Sequence, residues 1–241
     1  PQGCEGSSPF LGTSPTPYEA ALPMGSTLFS HAGVTIRLHR NDLPDGLDLG
    51  RMVAIDTETM GLNPHRDRLC LVQLSSGDGS AHLVQISPAS LGGRGADAPN
   101  LKKLLADPAI TKLFHFARFD VAVLYHALGV VTAPVICTKI AAKLVRTFTD
   151  RHGLKDLCRE LLGVDLSKQQ QTSDWGAAEL SPEQLAYAAS DVLHLHALWG
   201  KLEGLLKREG RLDLAEACFR FLPARGRLDL LGYEDPDIFH H

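Results

Sequence analysis

The 241-residue chain is long enough for one large core with an appendage and too short for two full-sized domains, and its 44% hydrophobic and 22% charged residues exclude a mainly disordered or fibrous protein. With 24 Lys and Arg against 28 Asp and Glu the net charge is −4, so overall charge cannot hold a polyanion and any contact with nucleic acid must be local. The five cysteines, scattered without a C-x-x-C pair, form neither a zinc site nor a disulfide framework and fit a reducing cytoplasm, while the most apolar stretch, 130–145, carries Lys139 and Lys143 and is too short to span a bilayer.

Residues 1–26 are rich in Pro, Gly, Ser and Thr and are expected to be a flexible segment; Met24-Gly25 offers a natural start, which would make residues 1–23 an appended stretch. No basic, apolar leader of the secretory kind precedes it, and the terminal His240-His241 reads equally as native or as the stub of a tag. Val34 to Leu38 alternates weakly, and three runs then read as strands separated by Gly, Asn, Pro and Ser: Arg51 to Glu58, Leu69 to Leu74 and Ala81 to Ile86. Their close spacing suggests a meander. Next come a short helix over Asn100 to Ala106, a strand over Lys112 to His115 and a helix over Ala117 to Leu128. A strand over Val135 to Cys137 runs into a helix over Lys139 to Val145, and Gly153 to Leu162 repeats apolar residues at helical spacing. Ser181-Pro-Glu-Gln opens a long helix, with an N-cap Ser, Pro in the first turn and Glu183 near the positive end, predicted to run to about Glu209. Another helix covers Leu212 to Phe221. Antiparallel strands followed by alternating strands and helices imply an α/β fold, a mixed sheet flanked by helices with a helical C-terminal half.

Asp56 and Glu58 stand two apart at the end of an apolar strand, so alternation turns both carboxylates to one face, where they repel. Either the strand end dips into solvent or a divalent cation offsets the repulsion; hard oxygen donors suit Mg²⁺ or Mn²⁺. Asp120, in the first turn of a helix that follows a strand, is either a helix-start acid or a further ligand. Asp191 lies one turn from Tyr187 on the long helix, among Ala188, Ala189, Val192 and Leu193, a setting with little polar face to account for an acid.

The set Asp56-x-Glu58, Asp120 after a strand, and Tyr187-x-x-x-Asp191 resembles the DEDD superfamily of 3′→5′ exonucleases in its tyrosine-bearing branch. The stretches Leu69 to Leu74, Leu166 to Trp175 and Leu180 to Val192 look like ribonuclease D in particular, and the resemblance covers roughly Val34 to Leu205. It implies a ribonuclease H-like fold with a mixed five-stranded sheet, an exonuclease domain over residues 27–210, and a C-terminal helix and tail over 211–241 packed on that domain. Only some 30 residues follow the long helix, too few for the helical nucleic-acid-binding domain that ribonuclease D carries there. Many relatives also have Asn where this chain has Phe116.

By the same resemblance two divalent cations are held, one by Asp56, Glu58 and Asp191, the other by Asp56 and, directly or through water, Asp120. The implied reaction releases nucleoside 5′-monophosphates from single-stranded 3′ ends, RNA favoured over DNA, with Tyr187 orienting the attacking water. Leu62 would wedge between the last two bases or pack as an ordinary turn residue. Lys168 would meet a phosphate, Trp175 would stack on a base or pin its loop, His115 would touch the substrate backbone or sit hydrogen-bonded in the core, and Gln73 would order the first motif. The competing readings are a single-stranded DNA exonuclease, an endonuclease or phosphodiesterase of the same chemistry, and a non-catalytic nucleic-acid-binding module.

Overall fold

The computed structural model describes residues 26–31, 33–88, 97–167 and 169–240. The expected flexible segment therefore lies outside the described residues, as does Lys168, except for Ser26. Seven strands form one sheet: β1 (Ser26–His31), β2 (Val34–Arg40), β3 (Met52–Thr59), β4 (Leu69–Ser75), β5 (Ser80–Gln85), β6 (Thr111–Phe114) and β7 (Val135–Cys137), in the order β1-β2-β5-β4-β3-β6-β7.

The meander is present, β3 pairing antiparallel with β4 and β4 with β5, with Asp56 opposite Gln73. On one side β2 runs parallel to β5, and β1 folds back antiparallel along β2. On the other side β6 and β7 run parallel to β3. The resemblance implied five strands, and the sheet has seven. The hairpin β1–β2 accounts for the surplus at that edge: β1 is polar and largely exposed, so no buried face marked it in the sequence. Every residue of β4 and β5 is buried, so the centre of the sheet is covered on both faces.

Helices α1 (Pro99–Ala106), α2 (Ala117–Leu128) and α3 (Thr138–Val145) follow the expected order. The helix expected over 153–162 is a single α-turn, α4 (Leu154–Leu157), that widens into a π-helical turn, Cys158–Leu162, ended by Gly163 at φ 70°. The long helix is two helices, α5 (Pro182–Leu193) and α6 (Leu195–Arg208), jogged at His194. The apolar period runs straight through the jog, from Leu185, Ala188 and Val192 to Leu195, Leu198 and Leu202. The direction changes because α5 packs on β3, β4 and β5, whereas α6 packs on α3 and the π-helical turn. Ser181 opens α5 with a full capping box, its hydroxyl accepting from the Gln184 amide while the Gln184 side chain accepts from the Ser181 amide.

The last helix, α7 (Leu212–Leu230), continues past Pro223, where the expectation had stopped it at Phe221. Tertiary packing overrides the missing backbone donor. Leu222, Arg225 and Gly226 are buried, and Gly226 lies so close to α2 that a β-carbon there would stand 2.8 Å from Val121 Cγ2 and 3.1 Å from the Ala122 amide nitrogen. Arg225 pairs with Asp229 within the helix and with Asp237 beyond it and donates to the Tyr233 carbonyl, while Arg118 of α2 grips Asp229 in a two-point ion pair. Among the described residues no helix is long and apolar enough to cross a membrane.

Candidate active site

Three parallel strands, β3, β6 and β7, end at the same edge of the sheet, and loops leaving such ends are where side chains converge on a ligand. β3 delivers Asp56 and Glu58 there; β6 delivers His115 and Phe116; β7 delivers Thr138 and Lys139. Helix α5 adds Tyr187 and Asp191, one turn apart. Apart from the buried Thr138, these residues line a cleft of about 650 Å³ together with Met60, Gly61, Leu62, Leu154 and Lys155.

Carboxylate oxygens of Asp56, Glu58 and Asp191 lie within 4.8 Å of one another. Asp120 stands apart from that triplet, buried in the first turn of α2, where the Thr57 hydroxyl donates to its Oδ1 at 2.8 Å. The four carboxylates sense one another. Burial pushes Asp56 up to about 7, and burial followed by repulsion from Asp56, Asp191 and Asp120 pushes Glu58 up to about 10. Asp120 and Asp191 rise well above the usual carboxylate range through burial and the charge of Asp56. Gln73 Nε2 reaches Asp56 Oδ2 at 3.5 Å, a weak contact across the β3–β4 ladder.

Among the described residues no Lys or Arg forms an ion pair with this cluster; the cations of the cleft, Lys139 and Lys155, stand elsewhere on its wall. Acceptor-only oxygens crowded together without a basic partner are the donor set that hard divalent cations take, so the residues present fit such ions. Tyr187 belongs to the same field. Burial and then Asp191, Glu58 and Asp56 raise its phenol above the ordinary value, so the hydroxyl keeps its proton at neutral pH.

Of the other expected site residues, Leu62 is 84% exposed at the cleft rim. Its turn is braced by Asp67, which accepts from the Asn63 amide at 3.0 Å and from two nitrogens of Arg66, and which sits where a β-carbon on Gly61 would be. His115 lies on the floor with Nδ1 2.9 Å from the Thr138 hydroxyl, and burial followed by Lys139 lowers it to about 3, so it is a neutral, tethered histidine. Trp175 is 3% exposed with its ring centroid 6.0 Å from that of Tyr187, so it pins its loop and backs the tyrosine, and the alternative of stacking on a base lacks a free ring face. The loop itself is tied down by Gln184, Arg68 and Gln85, which donate to the carbonyls of Asp174, Gly176 and Ala177.

Lys139 is a cleft residue that the sequence does not mark as one. Its only signal was the interruption of an apolar stretch, which had served to exclude a membrane span. The bond from Thr57 to Asp120 joins positions 63 residues apart and leaves no local trace in the sequence.

The profile of the 3′–5′ exonuclease family matches residues 41–207. Ribonuclease D of Gluconacetobacter diazotrophicus is 38% identical over 161 residues, which cover 67% of this chain and 39% of that protein. The chain thus spans about two-fifths of the length of the first curated relatives it matches. The structure of NrnC from Brucella melitensis superposes with a TM-score of 0.81 at 61% identity, covering 86% of this chain and 98% of that one. NrnC has also been solved with bound Mg²⁺ and bound to pGG. Ribonuclease D of Escherichia coli, described as an exoribonuclease involved in structured RNA processing, gives a TM-score of 0.61 at 30% identity over 73% of this chain and 45% of that one.

Proposed function

The chain belongs to the 3′–5′ exonuclease family, and from that premise we propose that it is a metal-dependent exoribonuclease that removes nucleoside 5′-monophosphates from single-stranded 3′ ends. The observation that carries this reading is the convergence of Asp56, Glu58 and Asp191 around a point that Tyr187 overlooks from one helical turn away. Short RNA is the favoured substrate, in keeping with the capture of pGG by NrnC.

In this reading Asp56, Glu58 and Asp191 would hold one divalent cation, Mg²⁺ or Mn²⁺, and Asp56 with Asp120, the latter directly or through water, would hold a second. Bound there, the ions would supply charge neutralisation for the scissile phosphate and would acidify a water. Water adds to phosphorus and the bond to the 3′ oxygen breaks, so the released nucleotide carries the 5′-phosphate. Tyr187 contributes orientation: a phenol that keeps its proton donates or accepts one hydrogen bond to fix the attacking water and is a poor base. The Thr57 hydroxyl, donating to Asp120, restrains that carboxylate and spares the site part of the entropy of arranging it. Leu62, exposed on a braced turn at the cleft, would separate the last two bases and so favour unpaired ends. The activity belongs in the cytoplasm, where the thiols of Cys70, Cys137, Cys158 and Cys218 stay reduced.

The deciding experiment incubates 3′-blocked and 5′-blocked RNA and single-stranded DNA oligomers with the protein in Mg²⁺ or Mn²⁺ and reads product sizes. Ladders shortening from a free 3′ end, stopped by a 3′ block and by excess EDTA, are expected. Internal fragments would point to an endonuclease, and undiminished cleavage in EDTA would overturn the assignment.

A further inference from the structure

Two residues other than glycine adopt positive φ among those described, Asn41 and Phe116. Asparagine tolerates that region because its short amide can bond the local backbone, whereas a phenylalanine is simply strained there. Phe116, at φ 74° and ψ 40°, is also the N-cap of α2 and offers no side-chain cap, so the helix that carries Asp120 begins strained and uncapped. The ring gives little to the core in return. It is 46% exposed, lines the cleft, and has Lys139 Nζ 4.1 Å from its centroid. Lys139 forms no ion pair among the described residues and is half-buried; burial and Lys143 lower its affinity for a proton, the mark of an ammonium lacking an anion. Strain of this kind, kept at the mouth of a site where a polar cap would be cheaper, points to use of the ring by a ligand.

We propose that Phe116 and Lys139 form a nucleotide subsite of the cleft, the exposed phenyl face stacking on a base of the substrate while the Lys139 ammonium meets a phosphate. The proposal rests on the exonuclease reading and deepens it. Parallel strands β6 and β7 bring the two residues to the sheet edge that carries Asp56 and Glu58. Every base has a π-face, so stacking holds a terminal nucleotide without regard to sequence, as a stepwise exonuclease requires. The cation lies against the ring, so stacking and phosphate contact are set in one geometry.

The test compares wild type with Phe116→Asn, Phe116→Leu and Lys139→Gln. Phe116→Asn should melt above wild type, because it relieves the strain and supplies a cap, while its KM for an RNA oligomer rises about 5- to 100-fold. Phe116→Leu, apolar but without a π-face, should raise KM similarly. An oligomer made abasic at one of its last two positions should abolish the difference between wild type and both variants. Lys139→Gln should flatten the dependence of KM on salt. A lower melting temperature for Phe116→Asn, or the same KM penalty whichever base is removed, would make Phe116 a packing residue and overturn the proposal. Binding of a 5′-labelled RNA trinucleotide by anisotropy, on an Asp120→Asn background that needs no turnover, separates the two readings. Binding that depends on Phe116 in a protein whose wild type never shortens RNA would overturn the exonuclease reading alone. Turnover with Phe116-independent binding would overturn this subsite alone.

Discussion

Replacing Asp56 by Asn should make the metal-free protein more stable while destroying the site. Burial holds the Asp56 carboxyl at about 7 against an ordinary 3.8. The folded state therefore keeps a proton that the unfolded chain releases, and the stability this gives is complete below about pH 3.8 and is lost as pH rises through 7. At pH 8 the ionised carboxylate costs about 4 kcal/mol, taking ~1.4 kcal/mol per pH unit. Its side chain opens on the cleft and shares protons with three neighbours, which brings the figure to ~2 kcal/mol. In a protein of this size that is a rise in Tm of roughly 4–8 °C for Asp56→Asn at pH 8 in EDTA. Circular dichroism melts at pH 8 and at pH 5 measure it, and the gain should shrink at the lower pH because the wild-type carboxyl regains its proton. Added Mg²⁺ should reverse the order, since only the wild type then gains the stability that ligand binding confers on the folded state. A variant that melts below wild type in EDTA at pH 8 would refute the reasoning, because Asp56 would then be supporting the fold rather than repelling its neighbours.

Tyr187→Phe should slow turnover about 10- to 1000-fold, the loss of one hydrogen bond of roughly 1–4 kcal/mol at the transition state, with metal affinity by calorimetry nearly unchanged; a collapse of metal binding would make Tyr187 an organiser of the carboxylates. The stacked pair His39 and His82, bonded at 2.9 Å and both held down to about 4 by burial, should produce an acid limb of opposite sign: stability present above pH 6.5 is lost as pH falls toward 4. His82→Gln should flatten that limb in chelator, and an unchanged slope between pH 6.5 and 4 would show that the pair is not its source. Leu62→Ala should leave the melting temperature within about 1 °C, as suits so exposed a side chain, yet raise KM for RNA oligomers; stability lost without a kinetic change would return Leu62 to the role of a turn residue.

The parts of this protein legible in its sequence are those whose residues announce themselves locally. β3, β4 and β5 were readable because apolar runs are separated by turn residues, and α5 because Ser181, Pro182 and Gln184 spell its start. The sheet order was not. That β2 lies beside β5 depends on pairing across 45 residues, and the polar β1 has no buried face to reveal it. The jog at His194 is invisible because two helices with different partners share one apolar period. In the site, the carboxylates were legible as a spaced set whose resemblance to a family supplied their roles. Phe116 was noticed only as a departure from relatives; its strain and its lysine emerge from the way β6 and β7 end side by side.

Helix α7 begins after the last residue matched by the family profile, which makes it look detachable. Its seating says otherwise. Gly226 lets it press against the backbone of α2 at Val121 and Ala122, immediately after Asp120, and Arg118, two residues before Asp120, is anchored to Asp229. The carboxylate that stands apart from the triplet is thus gripped from both sides by a helix that carries no site residue. A chain cut at residue 210 would bare the apolar flank of α2 and free the turn that aims Asp120, so a boundary drawn there separates two stretches of sequence but not two units of structure. Extending the cut to residue 230, which keeps Gly226 and Asp229, would preserve the grip that a minimal catalytic fragment needs.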